Sequence, residues 1–94
     1  MNKYEMALVL KPIEEAAAKE EFEKISGIIT RFEGSIDKVD EWGKRRLAYE
    51  IDKLNEGVYY FVTFLAEPSA PKEIESRVRI RENVLRYLII RVDE

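Results

Sequence analysis

The chain has 94 residues, 46 % of them hydrophobic and 37 % charged, with a formal net charge of −3, a composition that predicts one globular domain over residues 1–94 and excludes a disordered tail. It contains no cysteine and no histidine, which excludes disulfides, the usual zinc sites and Ser/His or Cys/His nucleophilic pairs. No stretch approaches the roughly 18–20 apolar residues of a membrane span, and the opening MNKYEMALVL, broken by Glu5 and followed by Lys11 and Pro12, does not read as a signal peptide.

The first element is a strand: Tyr4, Met6, Leu8 and Leu10 recur every second residue until Pro12 ends the run. Ala18, Phe22, Ile25, Ile29 and Phe32 then recur at three and four, the stripe of an amphipathic helix, with Gly34 as its left-handed stop. Glu14, Glu15, Glu20, Glu21 and Glu23 of this segment read as a solvated face. From Ser35 to Asp52 period two returns, with Leu47, Tyr49 and Ile51 on one side and Arg46, Ala48 and Glu50 on the other. Ile36 and Val39 are out of phase with that half, and a bulge near Gly43 repairs the register. Trp42 and the Leu47–Ile51 run are expected to anchor this strand to the core.

KLNEG, Lys53 to Gly57, has the composition of a hairpin turn in which Asn55 and Gly57 take positive φ. VYYFVTFLA, Val58 to Ala66, is a strand with apolar residues on both parities. After EPSAP, Ser69 is a helix N-cap with Pro71 in the first turn, and Ile74 and Val78 share a face of a short helix. Val84 to Val92 is too β-branched and too short for a helix and closes the chain as a strand. The order β-α-β-β-α-β, with right-handed crossovers, predicts an α+β fold of the ferredoxin-like, split β-α-β kind: a four-stranded antiparallel sheet with both helices on one face.

That geometry leaves the other sheet face open, yet its residues do not read polar. Both parities of the third strand are apolar, Tyr60, Val62 and Phe64 on one and Tyr59, Phe61 and Leu65 on the other, and so are both of the last, Tyr87 and Ile89 against Leu88 and Ile90. An apolar strip of this kind marks a partner surface. Charge is also unevenly placed. Arg77, Arg79, Arg81, Arg86 and Arg91 stand against one acid, Glu82, whereas residues 12–34 carry six acids against three cations. With Lys44, Arg45 and Arg46 in WGKRRLAYEI, the cations form two basic clusters, and arginine's planar fork suits phosphate oxygens. There is no P-loop, no G-x-G-x-x-G and no G-x-S-x-G, so neither an enzyme nor a cofactor, metal or small-molecule substrate is expected.

GKRRLAYEI, Gly43 to Ile51, resembles the signature of the family of ribosomal protein six of the bacterial small subunit: Gly, any residue, a cation, a polar residue, Leu, Ala or Ser, Tyr, any residue, Ile. YEMALVLKP, Tyr4 to Pro12, is similar to that family's opening strand, and RIRENVLRYLIIR, Arg79 to Arg91, to its closing segment. The family usually has a basic or small residue after that Ile, and this chain has Asp52 there. The resemblance implies a structural, non-catalytic, RNA-binding protein of the cytoplasmic ribosome, which binds the central domain of small-subunit ribosomal RNA as a heterodimer with ribosomal protein eighteen. It places Lys3, Arg45, Arg46, Arg79, Arg81, Arg86 and Arg91 toward RNA phosphates, with Tyr4 and Asn83 beside them, and puts the partner protein on Tyr59, Phe61, Leu65 and Leu88.

Two other proteins share the predicted topology. In an RNA-recognition motif, FVTF (Phe61 to Phe64) would end the third-strand signature and Tyr59 and Phe61 would stack on bases, but Gly57, Val58 and Tyr60 stand where that signature needs a cation and small residues. In an acylphosphatase, an Arg and an Asn hold the phosphate; Arg81 and Asn83 are present without the surrounding loop.

Overall fold

The computed structural model describes residues 1–51 and 53–92; Asp52, where the chain departs from the family signature, lies outside them. The elements run β1 (Asn2–Leu10), α1 (Glu15–Arg31), β2 (Ser35–Ile51), β3 (Leu54–Ala66), α2 (Ala70–Val78) and β4 (Val84–Arg91). All pairings are antiparallel in a four-stranded sheet of order β2-β3-β1-β4. This is the ferredoxin-like arrangement that the alternating periodicities predict.

Alternation decides burial on the central strands. Tyr4, Met6, Leu8 and Leu10 of β1 and Tyr60, Val62 and Phe64 of β3 point into one core with Ala18, Ile25 and Ile29 of α1 and Ile74 and Val78 of α2. Both helices therefore cover the same face. Burying one such aliphatic side chain contributes about 1.5–3 kcal/mol, so the stripe at three and four is what holds each helix to the sheet.

Glu21 breaks the expectation of a solvated acidic face: it is 5 % exposed. It lies three residues after Ala18 and four before Ile25, on the buried stripe itself. Sequence spacing thus puts a carboxylate where only a partnered one is tolerated.

The end of α1 differs from expectation in which residue turns. Glu33, at φ 61°, takes the left-handed conformation. Its N–H bonds Thr30 O at 3.0 Å while that of Gly34 bonds Ile29 O at 2.9 Å, the pair of bonds of a Schellman cap. Gly34 is required for a different reason. A Cβ there would sit 2.6 Å from Ile29 Cγ2 and 2.8 Å from Ile29 O. Because the second contact is backbone, Gly34→Ala is expected to lower stability by about 1–3 kcal/mol; an unchanged denaturant midpoint would refute the close approach.

The β2–β3 hairpin is also tighter than predicted. Ile51 pairs with Leu54, Lys53 takes φ 66°, and Asn55 and Gly57 lie inside β3. Gly57 serves packing: a Cβ would meet Val9 Cγ1 at 2.5 Å and Leu10 O at 3.1 Å. Ser69 is the N-cap of α2 with Pro71 following, but its side chain makes no cap hydrogen bond.

Candidate nucleic-acid and partner interface

Three irregularities in β2 shape the open side of the sheet. Asp37 is the extra residue between the pairs Ile36↔Phe64 and Lys38↔Thr63, and it brings Ile36 and Val39 to the same side as Phe64 and Val62. Trp42 is the extra residue between Glu41↔Tyr60 and Gly43↔Tyr59, with Gly43 at φ 75°. This is the bulge the sequence calls for, and it carries Trp42 onto the open face. The indole is 53 % exposed, its ring centroid 4.7 Å from that of Phe61. Trp42 does not anchor the core. Further on, four residues of β2, 47 to 50, oppose Asn55 alone, so the predicted strict alternation from Leu47 to Ile51 gives way to a wide bulge. Leu47 closes over Gly57 beside Val9, and the ring of Tyr49 meets the Arg86 guanidinium at 5.5 Å.

The four residues expected to meet a partner share this face. In register, Lys3 pairs with Leu65, Ala7 with both Phe61 and Leu88, and Val9 with Tyr59 and Arg86. Leu88 is 58 % and Ile90 48 % exposed. Ala7, Val9, Tyr59, Phe61, Arg86 and Leu88 line a shallow cleft of about 230 Å³. An apolar floor with one guanidinium at its rim suits a protein segment better than solvent.

The nine residues expected to face RNA do not form one patch. Antiparallel order puts Lys3 and Arg91 at the end of the sheet where β1 begins, and Arg45, Arg46, Arg79, Arg81, Asn83 and Arg86 at the end where the hairpin projects. The eight steps from Asn2 to Leu10 of β1, at about 3.3 Å each, separate the two ends by roughly 26 Å. Lys3 forms an ion pair with Asp37 at 3.8 Å. At the hairpin end, Arg45 lies 6.0 Å from the Trp42 ring centroid. Arg45, Arg46, Arg79 and Arg86 make no ion pair with a described residue.

Three of the nine are committed elsewhere. Tyr4 is 7 % exposed, stacked on Phe64 at 5.7 Å, and its hydroxyl accepts a hydrogen bond from Asn2 Nδ2; its even parity turns it toward the helices, away from solvent. Arg81 donates its Nε and, at 3.2 Å, its Nη2 to the carboxylate of Glu21. The Asn83 side chain lies near that carboxylate and favours its ionised form. The Arg81 fork, followed by its charge and Asn83, holds the Glu21 carboxyl below its ordinary pKa against the opposing cost of burial. The same fork raises the pKa of Arg81. This network joins α1 to the α2–β4 connection. It also removes the pair that an acylphosphatase would use to hold phosphate, and the Trp42 ring beside Phe61 crowds the platform that an RNA-recognition motif keeps clear for a base.

The family model described as Ribosomal protein S6 matches residues 3–91. The sequence is 46 % identical over 95 residues to the small ribosomal subunit protein bS6 of Alkaliphilus oremlandii and 43 % identical to that of Clostridium acetobutylicum, each alignment covering 100 % of both chains. The fold is similar to the crystal structure of 30S ribosomal protein S6 from Thermotoga maritima, with a TM-score of 0.92 and 31 % identity over 97 % of this chain and 87 % of that one.

Proposed function

The chain belongs to the ribosomal protein S6 family, and from that premise we propose that it binds the central domain of small-subunit ribosomal RNA together with ribosomal protein eighteen. As a member it is a structural, non-enzymatic constituent of the small ribosomal subunit. What supports the two-partner reading is one juxtaposition: Arg45 and Arg86 stand at the hairpin end of the same sheet face whose middle is the apolar cleft, with Arg46 next to Arg45 on the strand edge. No helix among the described residues is long and apolar enough to cross a membrane, and the cytoplasmic ribosome is the proposed location.

RNA is assigned to Arg45, Arg46, Arg79 and Arg86, with Lys3 and Arg91 as a second contact at the far end. Phosphate contacts of this kind position a protein without reading sequence, so specificity comes from the shape of a folded RNA junction. Ribosomal protein eighteen is assigned to Tyr59, Phe61, Leu65 and Leu88. Tyr4 and Arg81 are left out of the RNA surface because their polar atoms are already engaged, and Asn83 because it sits beside the Glu21 carboxylate.

The sole tryptophan, Trp42, sits on Phe61 and reports on docking by its fluorescence. Titration with ribosomal protein eighteen should shift its emission, and the RNA fragment should bind the pair more tightly than either protein alone. Leu88→Glu is expected to leave folding intact, since Leu88 is more than half exposed, but to weaken partner binding by about 30-fold or more, the effect of losing a central apolar contact. Wild-type affinity in that variant would move the partner off this face.

A further inference from the structure

A second cavity lies on the opposite, helix-covered side of the sheet and plays no part in the reading above. It has a volume of about 480 Å³ and opens between the N-terminal turn of α1 and the bulged stretch of β2. Ala18, Val58 and Ile13 supply apolar walls, Glu14, Glu15 and Glu41 the acidic groups and Lys44 one cation. Tyr60 also lines it. That residue is 2 % exposed and its ring stacks on Phe22 at 4.3 Å with an 8° tilt. Its hydroxyl hydrogen-bonds to no described residue, yet it is not sealed from solvent. The phenol therefore reaches water through the cavity.

We propose that this cavity receives a lysine side chain from a basic polypeptide segment, its methylenes along Ala18 and Val58, its ammonium among Glu14, Glu15 and Glu41 and donating to the Tyr60 hydroxyl. Charge complementarity selects the occupant. Three carboxylates against one ammonium leave an excess of negative charge, and Lys44 makes no ion pair with any described residue. The helix N-terminus alone would repel a cation; Glu14 and Glu15 reverse its sign. An anionic or uncharged apolar chain would leave these groups desolvated and unpaired. Burial foremost, then Glu41 and Glu15, raises the Tyr60 pKa, so the hydroxyl stays protonated and offers its lone pairs to the incoming N–H.

Isotope-labelled full-length protein titrated with the capped tripeptide Ala-Lys-Ala should give saturable NMR shifts at Tyr60, Ala18 and Val58, at millimolar concentrations suited to one side chain. The matching Ala-norleucine-Ala peptide should bind at least about tenfold more weakly. Tyr60→Phe keeps the stack on Phe22 and the core, and should cost about tenfold in affinity for the lysine peptide, the value of one hydrogen bond to a charged group. Glu41→Gln, on the exposed strand, should weaken it as well. Shifts spread without saturation over Glu20 and Glu23 of α1 would overturn the proposal, as would equal binding of the norleucine peptide or unchanged binding by Tyr60→Phe.

Discussion

Arg81→Leu is expected to lower the unfolding free energy by about 3 kcal/mol at neutral pH, the low end of the range for stripping one partner from a buried ion pair. The low end applies because the Arg81 side chain keeps 30 % of its exposure while that of Glu21 keeps 6 %. What is lost is less the attraction than the shelter: Glu21 would remain on the inner stripe of α1 as a charge with only Asn83 and the weaker pull of Lys24 near it. Equilibrium denaturation in urea measures the loss, and a change under about 0.5 kcal/mol, typical of a surface substitution, would reduce the pair to decoration. The double variant Glu21→Leu/Arg81→Leu completes the cycle. It should recover most of the loss, because an apolar pair of similar volume often replaces a buried ion pair at little cost.

The same pair sets a pH dependence. The folded pKa of Glu21 lies below its ordinary value of 4.5, so the folded state holds this proton less tightly than the unfolded one. Its stabilising contribution is complete above about pH 4.5 and is lost as pH falls through the lower, folded value. In Arg81→Leu the sign reverses, because an unpartnered buried carboxyl prefers its proton. The stability gap between wild type and variant should therefore be widest at neutral pH and close under acid. A gap constant from pH 7 to pH 3 would contradict the assignment of the loss to Glu21.

How much of this was legible in the residues depends on whether position or partnership decides. Period two in Tyr4, Met6, Leu8 and Leu10 and period three to four in Ala18, Ile25 and Ile29 fix which side is buried, since burial is a local consequence of the pattern. The bulge at Gly43 was legible from the phase slip on either side of it. The left-handed residue after α1 was not, because Glu33 and Gly34 are adjacent and only the approach of Ile29 shows which must lack a Cβ. Nor was the turn: Asn55 and Gly57 carry turn chemistry, but Gly57 is spent on contact with Val9. Arg81 reads as an anion ligand for the same reason that it binds Glu21, with Asn83 beside them, since a carboxylate and a phosphate ask for the same donors. Glu21 on the stripe of α1 was the available signal.

The open face shows the same distinction at the level of the site. Parity groups Tyr59, Phe61 and Leu65 on β3, and the register brings Leu88 to them across Ala7. Parity could not place Trp42 or Tyr49, because each sits in a bulge whose direction depends on the neighbouring strand. Their rings carry Arg45 and Arg86, restraining two long side chains that would otherwise lose more freedom on meeting a ligand. Arg45 and Arg86 are thereby prepared in a way that Arg79, at the end of α2, is not.

Arg45→Ala/Arg46→Ala, which removes Arg45 and its strand neighbour together, should have a large effect on RNA binding. Each guanidinium–phosphate contact is a hydrogen bond to a charged group, worth about 1.5–3 kcal/mol, so the double variant is expected to lose roughly 100-fold or more in affinity for the central-domain RNA. Its salt dependence should flatten too, by about 0.7–0.9 in the slope of log K against log salt for each phosphate contact removed. The slope separates contact from collapse: a variant that merely loosened the hairpin would weaken binding without a change in slope proportional to the charges lost. Neither arginine is paired with a carboxylate among the described residues, so their removal strands no buried charge and the thermal midpoint should hold. Arg45→Lys/Arg46→Lys keeps the charge and loses the fork, and should retain the slope while giving up part of the affinity. An unchanged slope in the alanine variant would return both side chains to the solvated edge of β2, and the RNA surface would have to be sought at Lys3 and Arg91.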